Sequence, residues 1–210
     1  MYRGDGAAVI ELGTARPAWQ LLGDGAALAL VQQVDGASEL AARCVAALRE
    51  RAWIGDAELA DQLDGLTGAG SAPLLRPLAV DLDELAEIMD GDPATAGGAV
   101  DRESGTVWPQ TVIDDGEVPD APDVERFLWV AGGSRDGYQD MVEFIDTCSD
   151  QRFAERLGRA IRGKGAFRRF ADLLHRGHED ELTRWSEFVS ERRRGRARAW
   201  LADAGYRVTR

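Results

Sequence analysis

The chain has 210 residues, of which 44% are hydrophobic and 30% charged, with a formal net charge of −12. That length suits one domain or two small ones and is enough to bury a real core. The composition is that of an ordinary globular chain, and no run approaches the ~18 apolar residues of a membrane span. Met1–Asp5 lacks the charged-then-apolar pattern of a secretory leader, and Cys44 and Cys148 fall at apolar positions of helical patterns. A cytoplasmic protein with two reduced thiols is expected, without a membrane partner.

Along the chain, Ala7–Leu12 reads as a short strand. A helix follows over Ala26–Val34, then a second with Leu40, Cys44 and Leu48 at i, i+4, i+8 and Ser38 as its cap. Gly55-Asp56 breaks that run and restarts a third helix, whose apolar face is Leu59 and Leu63. Residues 65–77 are rich in glycine, alanine and proline and keep no period, which makes them a linker. The expected organisation is therefore an acidic helical subdomain over 1–68 and a second domain over 78–210.

In that second part, Asp81 with Glu84 forms a capping-box start for a helix carrying Leu82, Leu85 and Met89, stopped by Gly91. Ala99–Asp101 and Thr106–Trp108 flank Arg102-Glu103-Ser104-Gly105, a hairpin in which Gly105 supplies the positive φ. An acidic loop spans 114–125, and Arg126–Val130 reads as a more central strand. Four helices complete the pattern: Tyr138, Met141, Ile145 and Cys148, entered from Asp136; Phe153, Leu157 and Ile161, entered from Ser149 and ended at Gly163; Phe167, Phe170 and Leu174, ended at Gly177; and Leu182, Trp185, Val189, Trp200 and Leu201, ended at Gly205. Tyr206–Thr209 is a last strand that can rejoin the sheet. The fold class expected is α+β: a small antiparallel sheet, a C-terminal multi-helix bundle and an N-terminal helical subdomain.

Charge is distributed unevenly. Residues 151–210 hold 16 of the 25 Lys+Arg and 8 of the 37 Asp+Glu, a net of +8; the first 150 residues hold 9 and 29, a net of −20. Such asymmetry points either to a polyanion-binding end or to two parts that attract one another.

The order Tyr138-Gln-Asp-Met-Val-Glu-Phe-Ile145, Ala154-Glu-Arg-Leu157, Gly163-Lys-Gly-Ala-Phe-Arg-Arg-Phe170, Trp185-x-x-Phe188-x-x-Glu191-Arg192 and Ala199-Trp-Leu201 resembles the uncharacterised protein family 0158, a bacterial family. With the hairpin Val100–Val107 the resemblance covers roughly residues 78–206. It implies no reaction, cofactor or partner.

Several motifs suggest chemistry and fall short of it. Gly158-Arg-Ala-Ile-Arg-Gly-Lys-Gly165 nearly spells a phosphate loop, but a helix precedes it and Gly165 stands where a hydroxyl must bind magnesium. His175 and His178 are interrupted by Gly177 and lack further close ligands, so no metal site is expected. Gly132-Gly133-Ser134-Arg135-Asp136 misses the second glycine of a nucleophile elbow, and no catalytic residue or cofactor is assigned.

What remains is cationic. Gly163 and Gly165 free the backbone before a helix start, with Lys164, Arg168 and Arg169 close by; a phosphate or carboxylate could dock there, or the glycines could simply make a tight connection. Arg192, Arg193, Arg194, Arg196 and Arg198 crowd two turns of the last helix and must meet anions. An acidic protein partner, the chain's own acidic half and nucleic-acid phosphates are the three classes that fit, the first two favoured. The favoured function is a non-enzymatic binding or regulatory module with a basic C-terminal helical surface. The alternative is an enzyme or binding protein for a small anion at the Gly163–Gly165 loop.

Overall fold

A computed structural model of the chain describes residues 18–72, 74–90, 96–118, 125–133, 136–176 and 179–209. The strand expected at 7–12, the stops at Gly91 and Gly177, the 119–124 part of the acidic loop, Ser134 and His178 lie outside those residues. The fold is α+β, and its buried side chains gather in three clusters.

The first cluster belongs to α1 (Trp19–Val31), α2 (Ala37–Arg51) and α3 (Asp56–Thr67), with Leu40, Cys44, Leu48, Leu59 and Leu63 at its centre. α1 starts well before Ala26, because Gly23 and Gly25 do not break it. A Cβ on Gly23 would lie 2.5 Å from Leu59 Cδ2, so the glycine lets α1 press onto α3. Ala18, at the N-cap of α1, has no side chain that could cap it; that function comes from a distant residue, described below.

The second cluster joins both small sheets. β1 (Arg76–Leu78) pairs in parallel with β5 (Tyr206–Val208), so the last strand forms a separate two-stranded sheet and β1 emerges from what reads as linker. α4 (Leu82–Met89) is capped by Asp81, which accepts from the N–H groups of Asp83 and Glu84 at 2.9 and 3.3 Å. β2 (Gly97–Asp101) and β3 (Val107–Pro109) make the expected hairpin, with Gly105 at φ +75°. β4 (Phe127–Ala131) pairs antiparallel with β2 and is an edge; the central strand is β2. The reason lies in Gly97 and Gly98. A Cβ on Gly98 would sit 2.0 Å from the Trp108 carbonyl oxygen, so only a glycine admits neighbours on both sides. A short helix, α5 (Gln110–Asp114), follows β3.

The third cluster is helical: α6 (Asp136–Asp146), α7 (Gln151–Ala160), α8 (Ala166–His175) and the 25-residue α9 (Glu179–Asp203). Phe144, Phe170 and Trp185 meet edge to face, with centroids 4.7 to 6.2 Å apart. Trp185 and Trp200 both pack against buried clusters. The cap of α7 is Asp150 rather than Ser149, accepting from the N–H groups of Arg152 and Phe153 at 2.9 and 3.2 Å. α9, about 37 Å long, touches α1, α3, α4, α6, α8 and β5 and so holds the three clusters together.

Candidate functional site

The arginine cluster of α9 turns inward. Arg192 reaches Asp140 and Glu143, both at 2.5 Å, and Arg193 reaches Asp90 at 2.6 Å. Arg194 bridges Asp24 at 2.8 Å and Asp83 at 2.5 Å. Arg196 meets Asp140 at 2.9 Å, Asp90 at 3.4 Å and Asp136 at 3.5 Å, and Arg198 meets Asp24 at 2.6 Å. Every carboxylate in this set belongs to the acidic first 150 residues, on or beside α1, α4 and α6. Arg198 is only 3% exposed, whereas Arg193 keeps about half its side chain in water.

Around this row lies a buried polar network. Glu191 accepts from the N–H groups of Gln20 and Leu21 at 2.7 and 3.2 Å, supplying across the fold the cap that α1 lacks in its own sequence. Arg51 donates to Glu191 at 2.9 Å and to both oxygens of Asp56, at 2.7 and 2.9 Å. Gln20 links Asp56 to Arg198, donating to the first at 2.8 Å and accepting from the second at 2.9 Å. Burial works against charge on Arg194, but Asp24 and Asp83 outweigh it and raise the affinity of its guanidinium for its proton. Burial likewise opposes charge on Arg196, and Asp140, Asp90 and Asp136 outweigh it in the same direction. Satisfaction is nearly complete: Arg194 Nε and Arg198 Nη1 are buried atoms without a hydrogen-bond partner.

Backbone contact completes the junction. Gly195 of α9 faces the chain between α2 and α3, where a Cβ on it would lie 2.1 Å from the Ile54 carbonyl oxygen. A Cβ on Gly55 would lie 2.1 Å from the Gly195 carbonyl oxygen. Two glycines on two elements allow one close approach.

Lys164, Arg168 and Arg169 do not act together. Arg169 folds back over the α7–α8 connection, donating to the carbonyls of Ala160 and Arg162 at 2.8 Å each, of Gly163 at 3.4 Å, and of Lys164. It thus satisfies carbonyls left open at the end of α7, a task suited to a planar five-donor group. Lys164 and Arg168 point to solvent.

They are joined there by a row that motif reading passed over. Phe153 and Leu157 face the core from α7, which turns Arg152, Arg156 and Arg159 outward at i, i+4, i+7. Arg162 extends the row into the connection. Among the described residues none of Arg152, Arg156, Arg159, Arg162, Lys164 and Arg168 has an ion-pair partner. Phe167 stands beside them with 58% of its surface exposed, its ring edge against Gly137, and Tyr138 is 44% exposed. The signal was present in the sequence as the arginine period opposite Phe153 and Leu157. It was outweighed by the denser run at 192–198.

The outward faces of α7 and α8 place Arg152, Arg156, Arg159, Phe167 and Arg168 in solvent. A shallow depression among the described residues lies elsewhere, lined by Ala18, Leu21, Ser186, Glu187, Ser190 and Glu191, and includes no part of the Gly163–Gly165 loop. Cys44 is fully buried and its thiol is pushed up to about 11 by that burial; Cys148 is half-buried, and both are free. Among the described residues no three His, Cys, Asp or Glu side chains converge as metal ligands would, and no helix is long and apolar enough to cross a membrane.

Searches of curated proteins and of solved structures give no match. The resemblance carried by the C-terminal helices is matched by a family model, over a span that starts after the hairpin rather than before it. Residues 114–209, from the end of α5 to the end of β5, match the model of the Uncharacterised protein family (UPF0158).

Proposed function

We propose that the protein is a non-enzymatic, cytoplasmic binding module whose basic face is the α7–α8 hairpin, and that its partner is an anionic macromolecule. The observation that supports this reading is the row of six solvent-facing cations, 152, 156, 159, 162, 164 and 168, none of them ion-paired among the described residues, in a chain of net charge −12. The arginines of α9, by contrast, are all paired with carboxylates, down to the buried Arg198. Cations spaced along two helices suit an extended polyanion better than a small substrate, which is held by groups converging in a cleft. The α9 arginines belong to this module as the frame that holds it, since their charge is spent on Asp24, Asp83, Asp90 and Asp140.

The test is retention on an immobilised polyanion at low salt. Despite its net negative charge, the wild-type protein is expected to bind a sulfated-polysaccharide resin and elute with salt. The Arg156→Glu/Arg159→Glu variant is expected to pass through while keeping its circular dichroism spectrum. Wild-type protein in the flow-through would sink the reading.

A further inference from the structure

The α7–α8 face carries one feature that charge alone does not require: an exposed aromatic ring among the cations. Phe167 opens α8 between Lys164 and Arg168 with more than half of its surface in water, while Phe170, one turn on, is buried. A lone exposed phenyl ring costs free energy in water, about 25 cal/mol per Å² left uncovered. Here it lies where a ligand held by Lys164 and Arg168 would meet it.

We infer that this face binds single-stranded nucleic acid, with phosphates along Arg152, Arg156, Arg159, Arg162, Lys164 and Arg168 and a base stacked on Phe167. This deepens the binding-module reading and rests on it. An acidic peptide would satisfy the cations equally well, since arginine clusters also recognise acidic motifs; what favours a nucleic acid is the exposed ring, because a carboxylate side chain has no face to stack on Phe167. A flexible strand can lie along a cationic stripe, and every base has a face to stack on a ring, so no pocket is needed. A duplex keeps its bases stacked internally and would leave Phe167 unused. The row on α7 also has a usable pitch: Arg152 to Arg156 advances about 6 Å along the helix and Arg156 to Arg159 about 4.5 Å.

The probes are a fluorescein-labelled 12-mer of deoxythymidine, its duplex with deoxyadenosine, and labelled polyglutamate of matched charge, each titrated by anisotropy with the full chain. The single strand is expected to bind tightest. Six engaged phosphates give a salt slope near −4, so raising salt from 50 to 200 mM weakens binding roughly 250-fold. Phe167→Ala is expected to weaken the single strand roughly 5- to 150-fold and polyglutamate hardly at all. Phe167→Trp is expected to restore binding of the single strand, which separates stacking from a packing defect against Gly137. Equal binding of oligonucleotide and polyglutamate, with no effect of Phe167→Ala, would overturn the inference and leave the binding-module reading standing. Tighter binding of the duplex would overturn the stacking role and with it the single-strand assignment. Binding of none of the three probes at low salt would overturn both.

Discussion

Replacing Asp24 with alanine strands the buried Arg198 and leaves Arg194 with Asp83 alone. Asp24 accepts from Arg194 at 2.8 Å and from Arg198 at 2.6 Å. Without it Arg198, 3% exposed, retains only the neutral Gln20 side chain at 2.9 Å, and it already carries one unpartnered nitrogen. Breaking a buried pair from one side costs about 3–5 kcal/mol, because the surviving charge has neither partner nor water. For a chain of this size that corresponds to a fall in Tm of roughly 6–20 °C. Urea unfolding followed by circular dichroism measures the loss, and hydrogen exchange should place it in residues 18–67. The double variant Asp24→Ala/Arg198→Met removes the stranded charge too, and is expected to recover about 1–3 kcal/mol. The loss should persist in 1 M salt, since a buried pair is poorly screened. Arg49→Ala is the control: Arg49 pairs with Asp61 and Asp64 while half exposed, and should cost no more than ~1 kcal/mol. A loss below ~1 kcal/mol for Asp24→Ala, or full suppression by salt, would refute the account of a buried clamp.

Three further outcomes are expected. Gly195→Ala drives a methyl group into the Ile54 carbonyl and should destabilise by about 3 kcal/mol, whereas Gly158→Ala, with nothing within 4 Å, should stabilise α7 by about 0.5–1 kcal/mol; both are read from denaturation midpoints. For Asp101, burial raises the carboxyl pKa, but Arg126 and the N–H groups of Glu103 and Ser104 outweigh it and hold the group down to about 2, against 3.8 ordinarily. A depressed pKa means stability that is present above pH 3.8 and lost as pH falls towards 2. Asp101→Asn should therefore cost about 2 kcal/mol at pH 7 and flatten the acid limb of the stability profile below pH 4. Arg169→Ala removes the donor shared by four carbonyls and should cost about 1–3 kcal/mol, with faster amide exchange at 160–166. Lysine there should recover little, as an ammonium cannot span that fork of acceptors.

How much of this was legible in the sequence follows from how local each cause is. The hairpin at 97–109, the Asp81 cap and the four C-terminal helices are set by neighbouring residues: a turn glycine, a cap, an apolar period. Those were readable. The start of α1 was not, because its cap is Glu191 on α9 and its Gly23 makes room for Leu59 on α3. Pairing of β1 with β5 escaped for the same reason, joining Arg76 to Tyr206 across the chain. At the site, the crowd of arginines was visible but not its direction. Residues 192–198 cover almost two turns, so they project around the helix, and only the positions of Asp24, Asp83, Asp90 and Asp140 decide that they point inward. The quieter row at 152, 156 and 159 keeps one face, and that spacing was the better indicator of a surface.

The central claim is that the cations of α7 and α8 are free while those of α9 are spent. Brief labelling of the folded protein with phenylglyoxal, with modified sites read by mass spectrometry, tests it directly. Arg152, Arg156, Arg159, Arg162 and Arg168 are expected to label first, and Arg194, Arg196 and Arg198 only on unfolding. Early labelling of Arg194 and Arg198 alongside protected Arg156 and Arg159 would contradict both halves of the account.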